Sequence, residues 1–214
     1  MPDAPDATRR FVVGLGNPGR QYAASRHNVG FRVVEALQRR WQAGPPRTAF
    51  GGLVWDARPS RVGAGQRRVV LLEPQTYMNR SGAAVREMAA FYKAAAADLL
   101  VVLDDMALPP GRLRTRAGGS AGGHNGLADV LAALGDEQVS RLRVGIGAAP
   151  PHMDAADYVL GRFAAGESEL MEAAVAAAAD AVEDWVFHGV TYVMDRYNRR
   201  PEDAGRADGT DDGK

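Results

Sequence analysis

The stretch Phe11-Val-Val-Gly-Leu-Gly-Asn-Pro-Gly-Arg-Gln-Tyr-Ala-Ala-Ser-Arg-His-Asn-Val-Gly30 decides how this chain is read. An apolar run over Phe11–Leu15 ends in a Gly/Asn/Pro turn, and a polar segment follows in which His27 stands between Arg26 and Asn28. That is a strand delivering side chains to a site, then a loop carrying an ionisable ring. Gly14-Leu-Gly16-Asn-Pro-Gly19 also spells G-x-G-x-x-G, the dinucleotide fingerprint. Its context is wrong. The fingerprint needs its third glycine to open a helix whose apolar face packs on the sheet, yet Arg20 to Asn28 is polar and lacks apolar residues at helical spacing. The helical period starts only with Phe31, Val34, Leu37 and Trp41. Glu35, at about the right distance for a ribose-binding acid, falls inside that helix rather than at the end of a strand. The glycines therefore read as a tight turn and not as a nucleotide site.

Outward from this stretch, strands are expected at Phe11–Leu15, Leu53–Ala57, Arg68–Glu73, Leu99–Leu103, Arg112–Arg116 and Leu142–Ile146. Helices are expected at Val29–Gln42, Ala83–Lys93, Gly126–Leu134, Ser168–Phe187 and Val190–Asn198. Strands that alternate with helices imply an α/β domain with a mixed central sheet covered by helices on both faces. Met171, Val175, Ala178, Val182 and Trp185 form a helical stripe that reads as core packing. The 214 residues suit one domain. It is expected over residues 10–200, with a loose tail at 1–9 and a disordered Gly/Asp-rich tail at 201–214.

There are no cysteines, which removes disulfides, thiolate metal sites and a Cys nucleophile together. No stretch approaches the apolar length of a membrane span. Met1 to Thr8 holds two prolines and two aspartates and no apolar core, unlike a signal peptide. A cytoplasmic protein without membrane contact is expected. Net charge is zero, but it is unevenly spread. Residues 1–150 carry 20 basic against 12 acidic side chains, a balance of +8, and residues 151–214 carry 6 against 14, a balance of −8. Such asymmetry hints at a polyanionic partner.

Four segments place polar residues at the ends of apolar runs. Asn17 and His27 belong to the first. The second is Pro74-Gln-Thr-Tyr-Met-Asn79-Arg-Ser-Gly82, where Asn79 and Ser81 stand at a helix N-cap position. The third ends a strand in Asp104-Asp105, where α/β sites form. The fourth is Gly118-Gly-Ser-Ala-Gly-Gly-His-Asn-Gly126, which puts His124 and Asn125 at a helix start. No Gly-Lys-Ser/Thr follows these glycines, which excludes a P-loop, and no G-x-S-x-G elbow supplies a serine nucleophile. The histidines at 27, 124, 152 and 188 show no zinc spacing, and neither metal nor cofactor is expected. For His124, capping and packing is the simpler role. His27 is the better base, since imidazole suits proton transfer near neutral pH, and Asp104 could fix its tautomer.

Taken together these segments resemble the bacterial peptidyl-tRNA hydrolase family. The marks are Gly14-Leu-Gly-Asn-Pro-Gly19, Tyr22, Ser25-Arg-His-Asn-Val-Gly-Phe31, the Pro74–Gly82 segment with Tyr77 and Asn79, Asp104-Asp105 with Leu108-Pro109, and Gly118–Leu127. Arg141-Leu-Arg-Val-Gly-Ile-Gly147 and Tyr158-Val-Leu-Gly-Arg-Phe163 continue them, so that the likeness runs from Phe11 to Asn198. The resemblance implies a metal-independent monomer that cleaves the ester between a peptide and the terminal ribose of tRNA. It implies His27 as base and Asp104 as its orienting acid. It implies Asn17, Tyr22, Tyr77, Asn79, His124 and Asn125 as substrate-binding residues, and Arg116 with Arg143 as a clamp on a tRNA phosphate. A catalytically silent RNA-binding relative of the same fold is the alternative. Three departures stand out: Glu73 where Lys is usual, Ala148-Ala-Pro-Pro151 in place of a basic or His-containing sequence, and Val193-Met-Asp195 for Ala-Met-Asn.

Overall fold

The computed structural model describes residues 9–199. Arg9, expected in the N-terminal tail, opens the first strand, while the rest of that tail and the tail at 201–214 lie outside the described residues. Nine strands and six α-helices are found among these residues: β1 (Arg9–Gly14), α1 (Val29–Arg40), β2 (Arg47–Ala49), β3 (Gly52–Ala57), β4 (Ser60–Arg61), β5 (Gly65–Gln66), β6 (Arg68–Pro74), α2 (Ser81–Tyr92), β7 (Leu99–Asp105), β8 (Leu113–Arg116), α3 (Asn125–Leu134), β9 (Ser140–Gly145), α4 (Ala155–Leu160), α5 (Ser168–His188) and α6 (Val190–Tyr197). All six expected strands and five expected helices are present, with ends shifted by one or two residues. The short β2, β4, β5 and α4 carry too few residues to show a period, and the sequence reading missed them.

The central sheet has the order β2-β3-β6-β1-β7-β9-β8. β6, β1, β7 and β9 run parallel, while β3, β2 and β8 complete the sheet antiparallel. It is the expected mixed sheet in a single domain. The parallel strands are buried on both faces, which is why β7 reads as the unbroken apolar run Leu-Leu-Val-Val-Leu before its two aspartates. One face packs Val12, Leu71, Leu100 and Val102 against α1 and α5, with the stripe Met171, Val175, Ala178, Val182 and Trp185 fully inside. The other packs Val13, Leu72, Val101 and Leu103 against α2 and α3.

From β1 the chain moves outward to β6, then returns across β1 to β7. The order therefore reverses between β1 and β7, and in open α/β sheets ligands bind in the crevice outside the strand ends at such a reversal. The start of α1 is pressed into this point. A Cβ on Gly30 would lie 2.5 Å from backbone atoms of both Leu15 and Val102, and one on Gly14 would lie 2.3 Å from the Gly30 carbonyl oxygen. The glycine-rich motif thus serves backbone-to-backbone packing of helix on strand.

At the sheet edge, Asn198 takes the place of a missing strand. Its Oδ1 accepts the Thr115 N–H at 2.7 Å and its Nδ2 donates to the Thr115 carbonyl at 2.9 Å.

Glu73 is an anomaly within the core. Strand alternation puts it on the α1 face with Val69 and Leu71, 4% exposed, and its Oε1 is buried with no hydrogen-bond partner among the described residues. Burial, then the like charge of Glu35, pushes its pKa up from 4.5 to about 8. A raised carboxyl pKa means that the fold favours the protonated form. The associated stability, on the order of 5 kcal/mol, is complete below pH 4.5 and lost as pH rises through 8. Thermal melts at pH 6 and pH 9 should show the wild type losing stability with pH and Glu73→Gln losing much less; equal slopes would refute the account.

Candidate active site

The site is built where the strand order reverses. β1 ends at Gly14 and hands the chain to Asn17; β7 ends in Asp104 and Asp105. A single 3-10 turn, Arg26–Asn28, precedes α1 and carries His27 over the end of β7. Asp104 is almost fully buried, and its Oδ1 receives two imidazoles: His27 Nδ1 at 2.7 Å and His124 Nε2 at 3.1 Å. The two rings stand 5.1 Å apart and tilted. Burial alone would raise the Asp104 pKa. The hydrogen bonds from His124 and His27 outweigh it and hold the carboxyl well below the usual carboxylate range.

These partners assign the tautomers. Asp104 is an ionised acceptor, so His27 carries its proton on Nδ1. Its Nε2 keeps a lone pair, with no hydrogen-bond partner among the described residues, and His27 lines the cavity. His124 is the N-cap of α3, its Nδ1 accepting the Leu127 N–H at 3.2 Å, so its proton sits on Nε2 and points at Asp104. Both roles considered for His124 are therefore filled: it caps a helix and also lines the site.

The same atoms bear on metal binding. Ligand atoms of His27, Asp104 and His124 lie within 4.8 Å of one another. A neutral imidazole that binds metal through one nitrogen donates from the other. His124 Nδ1 instead receives a backbone N–H, so metal on Nε2 would set two protons against each other. The donor set suits a proton relay rather than a cation.

A cavity of about 640 Å3 opens in front of His27. Asn17, Tyr77, Asn79, Asp104, His124 and Asn125, expected at the site, line it together with Arg143, which was expected as part of a phosphate clamp. Met106, Ala107, Val159 and Leu160 add an apolar wall. Tyr22 and Arg116 are not among its lining residues. Tyr22 sits in the turn after Gly19, and Arg116 is exposed on β8 beside Arg141, the register partner of Arg116 on β9. The expected capping by Asn79 or Ser81 is absent. Asn79 lies exposed in the 3-10 turn Met78–Arg80, Ser81 Oγ donates to the Met78 carbonyl, and the first turn of α2 is served by Asp129, which accepts the Gly82 N–H at 2.6 Å. That frees the Asn79 carboxamide for the cavity.

Two residues escaped the sequence reading. Asn28, 3% exposed, behaves like a strand partner for Asn17: its Oδ1 accepts the Asn17 N–H at 2.8 Å and its Nδ2 donates to the Asn17 carbonyl at 2.9 Å. Asn17 in turn accepts the Met78 N–H on its Oδ1 at 2.8 Å, which leaves its Nδ2 as the free donor. Arg26 ties the His27 turn to the far wall. Its guanidinium binds the Arg162 carbonyl and Glu167 and lies over the ring of Tyr158, at the start of the segment that closes α4. Both flank His27 in sequence, a hint visible beforehand; their partners, Asn17 across the turn for Asn28 and Arg162 and Glu167 far along the chain for Arg26, were not.

A histidine held on a buried aspartate, with amide side chains gathered around it in one crevice of an α/β sheet, makes a candidate hydrolytic site. Comparison with known proteins agrees. The family model for peptidyl-tRNA hydrolase matches residues 11–205. The chain is 48% identical to a peptidyl-tRNA hydrolase of Rhodopirellula baltica, over 88% of this chain and 97% of that one, and 45% identical to one of Symbiobacterium thermophilum, over 88% and 98%. The crystal structure of peptidyl-tRNA hydrolase from Acinetobacter baumannii superposes with a TM-score of 0.80 at 36% identity, covering 90% of this chain and 95% of that one. The chain belongs to the peptidyl-tRNA hydrolase family.

Asn28→Ala should leave the Asn17 backbone N–H and carbonyl unpaired in a buried place, at about 1–3 kcal/mol for each group. A fall in melting temperature together with a lower kcat is expected; unchanged kinetics would show that Asn17 needs no such clamp.

Proposed function

We propose that this protein hydrolyses the ester between a peptide, or an N-blocked amino acid, and the terminal ribose of tRNA, and so recycles tRNA. The observation that carries this is the Asp104 carboxylate, buried and ionised, fixing the His27 ring with its Nε2 free in a cavity that Asn17, Asn79 and Asn125 also line. His27 Nε2 takes a proton from a water molecule as its oxygen adds to the ester carbonyl carbon. Negative charge develops on the carbonyl oxygen, where the Nδ2 donors of Asn17, Asn79 and Asn125 are available; one well-placed donor of this kind is worth about 3–4 kcal/mol. Collapse expels the ribose oxygen, which takes the proton back from His27, and a peptide carboxylate and free tRNA remain.

Asp104 stabilises the imidazolium formed on the way, and His124 keeps Asp104 ionised. The amides contact the peptide backbone rather than its side chains, which suits a substrate of any sequence. Arg116 and Arg143 supply a salt-dependent grip on a tRNA phosphate. No helix among the described residues is long and apolar enough to cross a membrane. A cytoplasmic monomer belongs to the same reading. The intact His27–Asp104 pair and three site asparagines favour an enzyme over a silent RNA-binding relative.

Purified protein incubated with N-acetylaminoacyl-tRNA in EDTA should release the blocked amino acid and leave the unblocked aminoacyl-tRNA intact. His27→Ala should lower turnover by about 10²–10⁴ while tRNA affinity persists, because the base is removed and the grip is not. Near-wild-type turnover in that variant would remove His27 from the mechanism. Arg116→Ala combined with Arg143→Ala should raise KM and flatten its dependence on salt, with a smaller effect on kcat. KM values unchanged across several salt concentrations would refute the phosphate grip.

A further inference from the structure

Asp105 is a buried carboxylate at the end of β7 that the reaction leaves unused. Successive residues of a strand point to opposite faces, so Asp104 and Asp105 diverge at the end of β7. Asp105 is 7% exposed, and its Oδ1 accepts the Ala107 N–H at 2.9 Å. Its Oδ2 lies 2.9 Å from Arg143 Nε, an ion pair without the alignment of a hydrogen bond. Parallel register sets Leu103 beside Arg143 and Asp105 beside Gly145, which brings the two side chains onto one face.

The surroundings of Arg143 are cationic. In the antiparallel pair β8–β9, Arg114 stands opposite Arg143 and Arg116 opposite Arg141, so four arginines share a face. Arg141 is buried, and its guanidinium is spent on the carbonyls of Gly119, Ser120 and Glu137. Burial, then the charges of Arg143 and Arg116, lowers its pKa, which registers the repulsion within the group. Among the described residues Asp105 is the carboxylate paired with Arg143. Arg143 itself is largely buried, lines the catalytic cavity, and has no hydrogen-bond partner at Nη1 or Nη2 among the described residues.

We propose that Asp105 is a positioning residue that aims Arg143 at the 5′ phosphate of the bound tRNA. The inference rests on the reading of Arg143 as a phosphate arm and adds what holds that arm. A counter-ion at Nε keeps the guanidinium from swinging away from its cationic neighbours. It turns the two Nη groups outward as a fork, the geometry that a phosphate accepts. Adjacent carboxylates on one strand then divide the work: Asp104 sets the base, and Asp105 sets the arm that registers the tRNA end.

The test compares N-acetylaminoacyl-tRNA that carries its 5′ phosphate with the same tRNA treated with phosphatase. For the wild type, loss of the phosphate should lower kcat/KM about ten-fold, the scale of one charge-assisted contact. In Asp105→Asn that ratio should shrink toward one, the loss falling mainly on the phosphorylated substrate, and Asp105→Glu should recover part of it. A melting curve for each variant separates misfolding from misaiming, and the Glu variant keeps the comparison usable if the Asn variant folds poorly. A wild-type ratio retained in Asp105→Asn overturns the proposal. So does an equal loss on both substrates, which would place Asp105 with Asp104 in holding the base. A wild type that cleaves both substrates equally well rejects Arg143 as the phosphate arm, whereas no release from either rejects the proposed reaction itself.

Discussion

Everything at this site depends on how closely α1 approaches β1 and β7. Gly30 meets the backbone of Leu15 and Val102 with no room for a side chain, and Gly14 meets Gly30. Helix and sheet are usually kept apart by the side chains between them; here their backbones touch. The turn that precedes the helix is thereby set down on the end of β7, and His27 arrives over Asp104. Had α1 ridden on side chains, the imidazole would stand too far from the carboxylate for a hydrogen bond.

The electrostatic design follows from that placement. A buried carboxylate costs free energy unless it is supplied with donors. Asp104 has two imidazole N–H groups on one oxygen, so it stays ionised and acceptor-only. His124 is itself held by the first turn of α3, and so a helix terminus settles the tautomer of one histidine, which supports the charge of an aspartate, which settles the tautomer of His27. Glu73 shows the converse. With Oε1 unpartnered among the described residues, burial and then the like charge of Glu35 drive it toward the neutral acid. Both carboxyls are buried from solvent, and their neighbours send their pKa values in opposite directions.

Much of this was legible in the sequence. The long strands and helices announce themselves because apolar residues repeat at the period of the element they form, as in Met171–Trp185. His27, Asp104, Asn17, Asn79 and Asn125 all belong to segments at the ends of apolar runs, and in this fold those ends converge on one crevice; Arg143, inside β9, was named only through the family resemblance. What stayed hidden depends on pairing across distance. Nothing local reveals that Asn28 serves the backbone of Asn17, that Asp129 rather than Asn79 or Ser81 serves the start of α2, or that Arg26 binds Glu167. α4 was missed because six residues make barely more than a turn and a half, yet its Val159 and Leu160 form part of the cavity wall.

The side-chain pairing of Asn198 with Thr115 carries a consequence for life in solution. β8 is the outermost strand of its side of the sheet, and a bare outer strand offers its backbone as a template for neighbouring chains. The N–H and carbonyl of Thr115 face outward, and one carboxamide from the chain's last described turn occupies both. α6 packs alongside, and the Arg112 guanidinium holds the Asn198 carbonyl in place at 2.6 Å. The strand that presents Arg114 and Arg116 is thus already paired at Thr115 on its outer rim. A second copy of the chain would have to displace that carboxamide to add a strand there, while the Arg114 and Arg116 side chains stay exposed on the face of the strand.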